Sequence, residues 1–428
     1  MKSSGKSDQS NREKQVIKAI NERKDELFAL LGDLIRIDSQ NFRTYGHEQA
    51  CAEYIAGRLN ELGLAADVYS PDAVAGLTAH PDYLSGRSLG NRPDVTACLP
   101  GLKSDRRLML AAHSDTMPIG SIDKWSFPPL SGEQLDGRIR GRGACDDKYG
   151  IAAILFILRL LRDLDIRLDY DLLFTAYSDE EYGGGNGTLA SCLKYPCDDV
   201  LNLDCKDFEI WNCAIGGGEI KATVRSKKPA DSCAAAVDGL MRVKEAFLRF
   251  KDNRRREIAA DPHYRGTNIP DTSVRFMHFT AGEYGSDLDT ASLIVTYYTT
   301  KTAAEIDEEL ASMAADLKPE LDNLGLELVG FEPATRFFHF APSEENNPVI
   351  AMLDRAAART SGRSLVSCGA CLSDLSLFIK YGSPRAISFG IGRDFNVYGG
   401  AHQTDEFIEC DRLVEFTGIV AAFLMEYH

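Results

Sequence analysis

The chain has 428 residues, 44% hydrophobic and 26% charged, with 64 Asp and Glu against 48 Lys and Arg and a formal net charge of −16. That length suits two domains rather than one core, and the acidic balance argues against a nucleic-acid partner, because a phosphate backbone is held by clustered Lys and Arg. No run approaches the roughly eighteen apolar residues of a membrane span, and the polar start has no signal-peptide core, so the expectation is a cytoplasmic protein with no membrane partner.

Residues 1–12 are expected to be disordered. From Arg12 to Ile37, Val16, Ile17, Ile20, Leu27, Phe28, Leu31, Leu34 and Ile35 recur at helical spacing and predict one or two amphipathic helices, ended by Ser39-Gln40-Asn41. Glu48–Leu62 predicts another, stopped by Gly63, with a strand after it. Val95–Leu99 and Arg107–Ala112 read as neighbouring strands around the turn at Pro100-Gly101. Tyr149–Leu164, apolar nearly all round, predicts a helix buried against a sheet. Asp171–Ala176 and Asp199–Leu203 are further apolar runs of strand length.

After Asp204 the texture changes. A strand (219–226), a helix near Asp231–Phe250, a polar insertion to Asp271, strands near Thr272–Thr280 and Ala291–Thr299, a helix near Ala303–Leu317 and a strand near Leu324–Phe331 follow. This βαββαβ order predicts a four-stranded antiparallel sheet with two helices on one face, inserted into a first domain. From Phe337 the doubly wound α/β texture returns. The fold class is therefore α/β, a doubly wound mixed sheet over 1–212 and 337–428, with an inserted α+β, ferredoxin-like domain over 213–336. Eleven scattered cysteines give no disulfide framework, and Cys368-Gly-Ala-Cys371 reads as a loop with two reduced thiols.

Three of the predicted strands end in an acid or an imidazole: His113, Glu180 with Glu181, and Asp204. Open parallel sheets gather ligands at the carboxyl ends of their strands, so these groups are expected in one crevice. Singly, each motif has an ordinary reading: a structural histidine, a helix N-cap at Asp146, a solvated Glu pair. Together, His113, Asp146, Glu181, Asp204 and His402 suit two divalent ions of zinc type, each with one imidazole and one terminal carboxylate, and a carboxylate shared between them. Asp115 would orient the His113 ring. Glu180 is left without a metal, beside the site, to take a proton from a water activated by the two ions and deliver it to a departing nitrogen. Gly183-Gly184-Gly185-Asn186-Gly187 lacks the Lys-Ser/Thr of a phosphate loop and reads as a turn.

The order His113-x-Asp115, Gly141-Arg142-Gly143-x-x-Asp146-x-Lys148, Asp179-Glu180-Glu181, Asp204 and Gly400-Ala401-His402-x-x-x-Glu406 resembles the dinuclear zinc amidohydrolases and exopeptidases that include aminoacylase, glutamate carboxypeptidase, acetylornithine deacetylase and succinyl-diaminopimelate desuccinylase. The resemblance runs from Ser39 to Tyr427. It implies that His113 and Asp204 bind one zinc, Glu181 and His402 the other, and that Asp146 bridges them, with Co²⁺ or Mn²⁺ as substitutes. It implies Glu180 as general acid/base, a cis Asp146–Asp147 bond, and an inserted domain that serves as lid and homodimer interface. It also implies a lid histidine and a lid arginine that contact substrate. Val224-Arg225-Ser226-Lys227-Lys228-Pro229 holds no histidine there, which leaves His263 and His278 as candidates, with Arg275 and Lys301 for the carboxylate contact. The expected activity is hydrolysis of an amide in a small carboxylate-bearing substrate, a short peptide or an N-acyl amino acid. The rival reading is a non-catalytic metal-binding or regulatory protein that keeps the fold.

Overall fold

Arg107–His113, Asp171–Tyr177 and Asp199–Asn202 lie side by side and parallel in the computed structural model, which describes residues 2–103, 105–228, 232–283 and 287–428. Around them the chain forms two compact units, Met1–Asn212 with Ser343–Ser367 and Leu377–His428, and Cys213–Pro342 with Cys368–Ser376.

The first unit opens with helices α1 (Lys2–Glu22), α2 (Lys24–Arg36) and α3 (Gln49–Glu61). The start expected to be disordered is helical from Lys2. Val16, Ala19 and Ile20 are buried in the core, and no proline separates them from the polar residues before, so helix propagates outward from the docked turns. Next come β1 (Asp67–Tyr69), β2 (Asp94–Leu99), β3 (Arg107–His113), β4 (Glu133–Leu135), β5 (Arg138–Arg140), α4 (Lys148–Asp163), β6 (Asp171–Tyr177), α5 (Asn186–Lys194), β7 (Asp199–Asn202) and β8 (Glu209–Ala214).

The sheet order is β1-β2-β6-β3-β7, so β2 and β3 are not the neighbours that their sequence adjacency predicts. Their connection crosses the start of β6. Leu102 and Lys103 donate main-chain hydrogen bonds to the carbonyls of Leu168 and Asp169, and a Cβ on Gly101 would stand 2.3 Å from the Tyr170 carbonyl carbon. Only glycine allows that close a passage. β2 is antiparallel to β6, whereas β6, β3 and β7 run parallel. Alternate β3 residues Leu108, Leu110 and Ala112 join one core with α4, whose apolar residues from Ile151 to Leu158 are all buried. At about 1.5–3 kcal/mol for each large apolar side chain buried, this packing dominates the stability of the unit.

The second unit carries β9 (Gly216–Ser226), α6 (Ser232–Ala260), β10 (Val274–Glu283), β11 (Asp287–Thr299), α7 (Ala303–Asn323), β12 (Leu326–Pro333) and β13 (Ala341–Pro342). Its antiparallel sheet has the order β10-β11-β9-β12. Ile220, Ala222, Val224, Leu293 and Val295 pack with Leu240, Val243, Phe247 and Phe250 of α6 and Ile306, Leu310, Leu317 and Leu321 of α7. α6 is longer than expected and takes up much of the predicted polar insertion. Arg254 and Ile258 within it are buried, and the Arg254 guanidinium pairs with Glu257 at 3.0 Å and Glu309 at 2.9 Å. This second unit runs past the expected end at residue 336, because β13 pairs with Cys213 and Ala214.

The chain then continues through α8 (Pro348–Ser361), β14 (Val366–Ala370), α9 (Leu375–Leu377), β15 (Ile387–Phe389), β16 (Phe407–Glu409) and α10 (Cys410–Glu426), of which Cys368–Ser376 belong to the second unit and the rest to the first. Cys368, expected in a loop, lies in β14, with Cys371 just beyond it; neither is in a disulfide. β15 extends the sheet, parallel to β7 and antiparallel to β8.

Candidate metal centre

In the parallel register His113 lies opposite Tyr177 and Ala111 opposite Asn202. The carboxyl ends of β3, β6 and β7 are therefore level, and the residues just beyond them share one end of the sheet. His113 is the last residue of β3, Glu180 and Glu181 follow β6, and Asp204 follows β7. Asp146 arrives from the loop before α4, where the Asp146–Asp147 bond is cis, as the resemblance implies. His402 sits in the loop between β15 and β16 with φ +62°.

Two groups of potential metal donors form there. His113, Asp146 and Asp204 have donor atoms within 4.8 Å of one another, and so do Asp146, Glu181 and His402. Asp146 belongs to both: Oδ1 is 2.9 Å from His113 Nε2 and Oδ2 is 3.0 Å from His402 Nε2. Glu181 Oε2 is also 3.0 Å from His402 Nε2. Glu180 belongs to neither group. Burial disfavours a charged His402, yet Glu181 and Asp146 outweigh that and push its pKa up to about 10. Imidazole nitrogens and carboxylate oxygens on this scale fit a pair of divalent cations.

Asp115 holds the arrangement from behind. His113 Nδ1 is 2.8 Å from the Asp115 carbonyl oxygen and 3.6 Å from its Oδ1, which fixes the ring so that Nε2 faces Asp146. Its two carboxylate oxygens accept the main-chain N–H of Glu180 and of Glu181, both at 3.1 Å. Burial pushes the Asp115 carboxyl up, but the His113 hydrogen bond and the nearby charges of His113 and Arg92 overcome it and hold the group well below the usual carboxylate range.

Several positioning groups escaped sequence reasoning. Asn41, read as a helix terminator, donates to Asp115 Oδ2 at 2.8 Å and to the Glu181 carbonyl at 3.1 Å. Lys148 is fully buried and donates to the carbonyls of Leu34 and Ile37, at 2.8 and 2.7 Å, which anchors α4 to the end of α2. Glu406 accepts from Arg142 at 2.6 Å and from the Cys145 N–H at 2.9 Å, and so ties the His402 loop to the Asp146 loop. The Gly-Arg-Gly and Gly-Ala-His-x-x-x-Glu spacings contain Arg142 and Glu406, and that was the available signal.

The proposed substrate contacts all lie in the second unit, and none belongs to either donor group. His263 Nδ1 is 2.9 Å from Asp261 in a short turn. His278 is exposed, with φ +49°, where the register of β10 shifts. Arg275 lies 5.7 Å from the Tyr298 ring, and Lys301 Nζ is 2.5 Å from Glu309.

Comparison with known proteins widens this view. The chain is 23% identical over 446 aligned positions, covering 96% of it and 97% of the relative, to N-formyl-4-amino-5-aminomethyl-2-methylpyrimidine deformylase of Halalkalibacterium halodurans. It is 32% identical to succinyl-diaminopimelate desuccinylase of Acidovorax ebreus, over 33% of this chain and 34% of that one. Among solved structures, the di-peptidase Dug1p of Saccharomyces cerevisiae shares the fold, with a TM-score of 0.75 at 14% identity over 96% of this chain and 98% of that one. The model of Peptidase family M20/M25/M40 matches residues 109–426. Because that match begins inside β3 and ends with α10, it takes in both donor groups and the insertion between them; the chain belongs to Peptidase family M20/M25/M40, and is a metal-dependent hydrolase of amide or peptide bonds.

Proposed function

We propose that the protein binds two zinc ions, one between His113 and Asp204 and one between Glu181 and His402, with Asp146 shared, and that Glu180 is the acid/base of amide hydrolysis. The observation that carries this reading is the division of the Asp146 carboxylate, one oxygen toward each imidazole, with Glu180 beside the donors and in neither group. The ions supply Lewis acidity toward the substrate carbonyl and toward water. Glu180 accepts a proton from the attacking water as its oxygen bonds to the carbonyl carbon. When the C–N bond breaks, Glu180 returns that proton to the leaving nitrogen. Asp115 keeps Glu180 and Glu181 on a fixed turn and His113 in one orientation.

The substrate class is a small amide, a short peptide or an N-acyl amino acid, and the relative named a deformylase adds N-formyl amines. The second unit serves as lid and homodimer interface, with His263, His278 and Arg275 as candidate substrate contacts. The edge strand β10, with exposed Met277 and Phe279, supports a dimer through that sheet. Eleven cysteines outside any disulfide suit the reducing cytoplasm, and among the described residues no helix is long and apolar enough to cross a membrane.

The test is a panel of N-formyl, N-acetyl and N-succinyl amino acids and dipeptides, assayed with added zinc, cobalt or manganese. Metal-dependent turnover should fall about 10²–10⁴-fold in Glu180→Ala. Absence of turnover from both proteins would overturn this reading of the substrate class.

A further inference from the structure

Five ionisable side chains are buried behind the turn that carries Glu180. Arg92 and the carboxylates of Glu48, Asp115 and Asp179 are fully buried, and Arg87 nearly so. Arg92 reaches three carboxylates at once. Its Nε donates to Glu48 Oε1 at 2.6 Å, its Nη1 is 2.7 Å from Asp179 Oδ1, and its Nη2 is 3.9 Å from Asp115 Oδ2. Arg87 meets the same Asp179 oxygen at 2.6 Å and donates to the main-chain carbonyls of Glu181 at 3.4 Å and Tyr182 at 2.7 Å.

These contacts bracket Glu180 on both sides. Asp179, immediately before it, stands in the left-handed region with φ +63°. The turn has little slack, since a Cβ on Gly184 would lie 1.9 Å from the Asp179 carbonyl oxygen. Asp115, on the other flank of Arg92, holds the N–H groups of Glu180 and Glu181. Only Nε makes a hydrogen bond with its carboxylate; Nη1 and Nη2 meet Asp179 and Asp115 as charges, and the planar guanidinium spreads its charge toward all three acids, which the single point of charge of an ammonium cannot do.

We propose that Arg92 is a positioning residue for hydrolysis: through Asp179 and Asp115 it fixes the turn from which the Glu180 carboxylate reaches the substrate. This rests on the assignment of Glu180 as acid/base. Arg92 touches neither donor group directly, so it sets the aim of the base and leaves the metal set intact.

The experiment compares zinc-loaded full-length wild type with Arg92→Lys, Glu48→Gln and Glu180→Gln, on the best substrate of the panel. Arg92→Lys should lower kcat about 10–100-fold, with KM within about threefold, two zinc ions per chain by metal analysis, and an unchanged circular dichroism spectrum. Glu48→Gln, which removes the charge at one anchor of Arg92 while keeping an oxygen for its Nε, should lower kcat by a smaller factor at the same KM. If Arg92→Lys does not fold, Glu48→Gln decides alone. Wild-type kcat in the folded variants overturns the proposal. So does a rise in KM that accounts for the loss, or zinc content that falls with kcat. Full activity in Glu180→Gln, or no turnover by wild type, overturns the acid/base assignment and the proposal with it. An inactive Glu180→Gln beside a fully active Arg92→Lys overturns the role of Arg92 alone.

Discussion

The two ends of the parallel strands handle buried carboxylates in opposite ways. At the amino end, Asp199 at the start of β7 is fully buried and held by two arginines, with Oδ2 2.8 Å from Arg106 Nη2 and Oδ1 2.8 Å from Arg385 Nε, while the Tyr427 hydroxyl donates to the same carboxylate. At the carboxyl end, arginines are equally close but engage different acids. Arg87 and Arg92 pair with Asp179, and Arg142 pairs with Glu406, whereas Asp146 and Glu181 pair with imidazoles. A guanidinium neutralises a carboxylate permanently; an imidazole can give up its proton and become a ligand. The amino end is closed electrostatically, and the carboxyl end is built to receive a cation.

The largest test of that contrast is His402→Ala. Removing the imidazole that faces both Asp146 and Glu181 should bring bound metal toward one ion per chain and lower kcat/KM about a hundredfold or more. Metal analysis that still finds the wild-type stoichiometry would refute the ligand assignment. Arg385→Ala at the other end should leave metal content unchanged and act on stability alone. Breaking a buried pair costs about 3–5 kcal/mol, but Arg106 and Tyr427 remain on Asp199, so a loss of about 2–3 kcal/mol is expected from urea denaturation. A metal-dependent effect of that variant would mean that the two ends are not independent.

The carboxyl end was legible in the sequence because each strand announces itself as an apolar run and its terminal acid or imidazole follows directly. Five motifs in one order then brought His113, Asp146, Glu181, Asp204 and His402 into view as a set. Strand adjacency was not legible, because nothing local in Pro100–Arg106 shows that it passes over β6. The supporting arginines were hidden for a different reason: Arg87 and Arg92 stand in a polar stretch that looks like solvated loop, and only the fold shows that their carboxylate partners are buried too. The far turns of α6 were concealed likewise, since Arg254 reads as a surface charge until Glu257 and Glu309 close around it.

Asp94 gives the finest test, because it lies near the carboxyl end and yet is held by neither arginines nor imidazoles. It is fully buried; its Oδ1 accepts the Ser178 N–H at 3.0 Å and hydroxyl at 2.9 Å, and its Oδ2 accepts the Ser191 hydroxyl at 3.2 Å. Burial pushes its pKa up to about 7, the serine hydrogen bonds offset only part of that, and the charge of Asp179 adds to it. The Tyr69 hydroxyl, bonded to Ser191, is the other titratable group beside it, and burial followed by the Asp94 charge keeps it protonated through this range. The folded state therefore binds the Asp94 proton more tightly than the unfolded chain does. Stability from this group is complete at acid pH, declines as pH rises above the ordinary carboxylate range, and levels off above about pH 7. Between pH 6 and 8 that decline amounts to about 1 kcal/mol. Asp94→Asn, which keeps the shape and cannot ionise, should remove it, so the stability of the variant minus that of wild type should rise by that amount over the same interval in urea denaturation. A constant difference would mean that Asp94 is already ionised at pH 6, and that buried carboxylates near this end are compensated by something other than the arginines and imidazoles described.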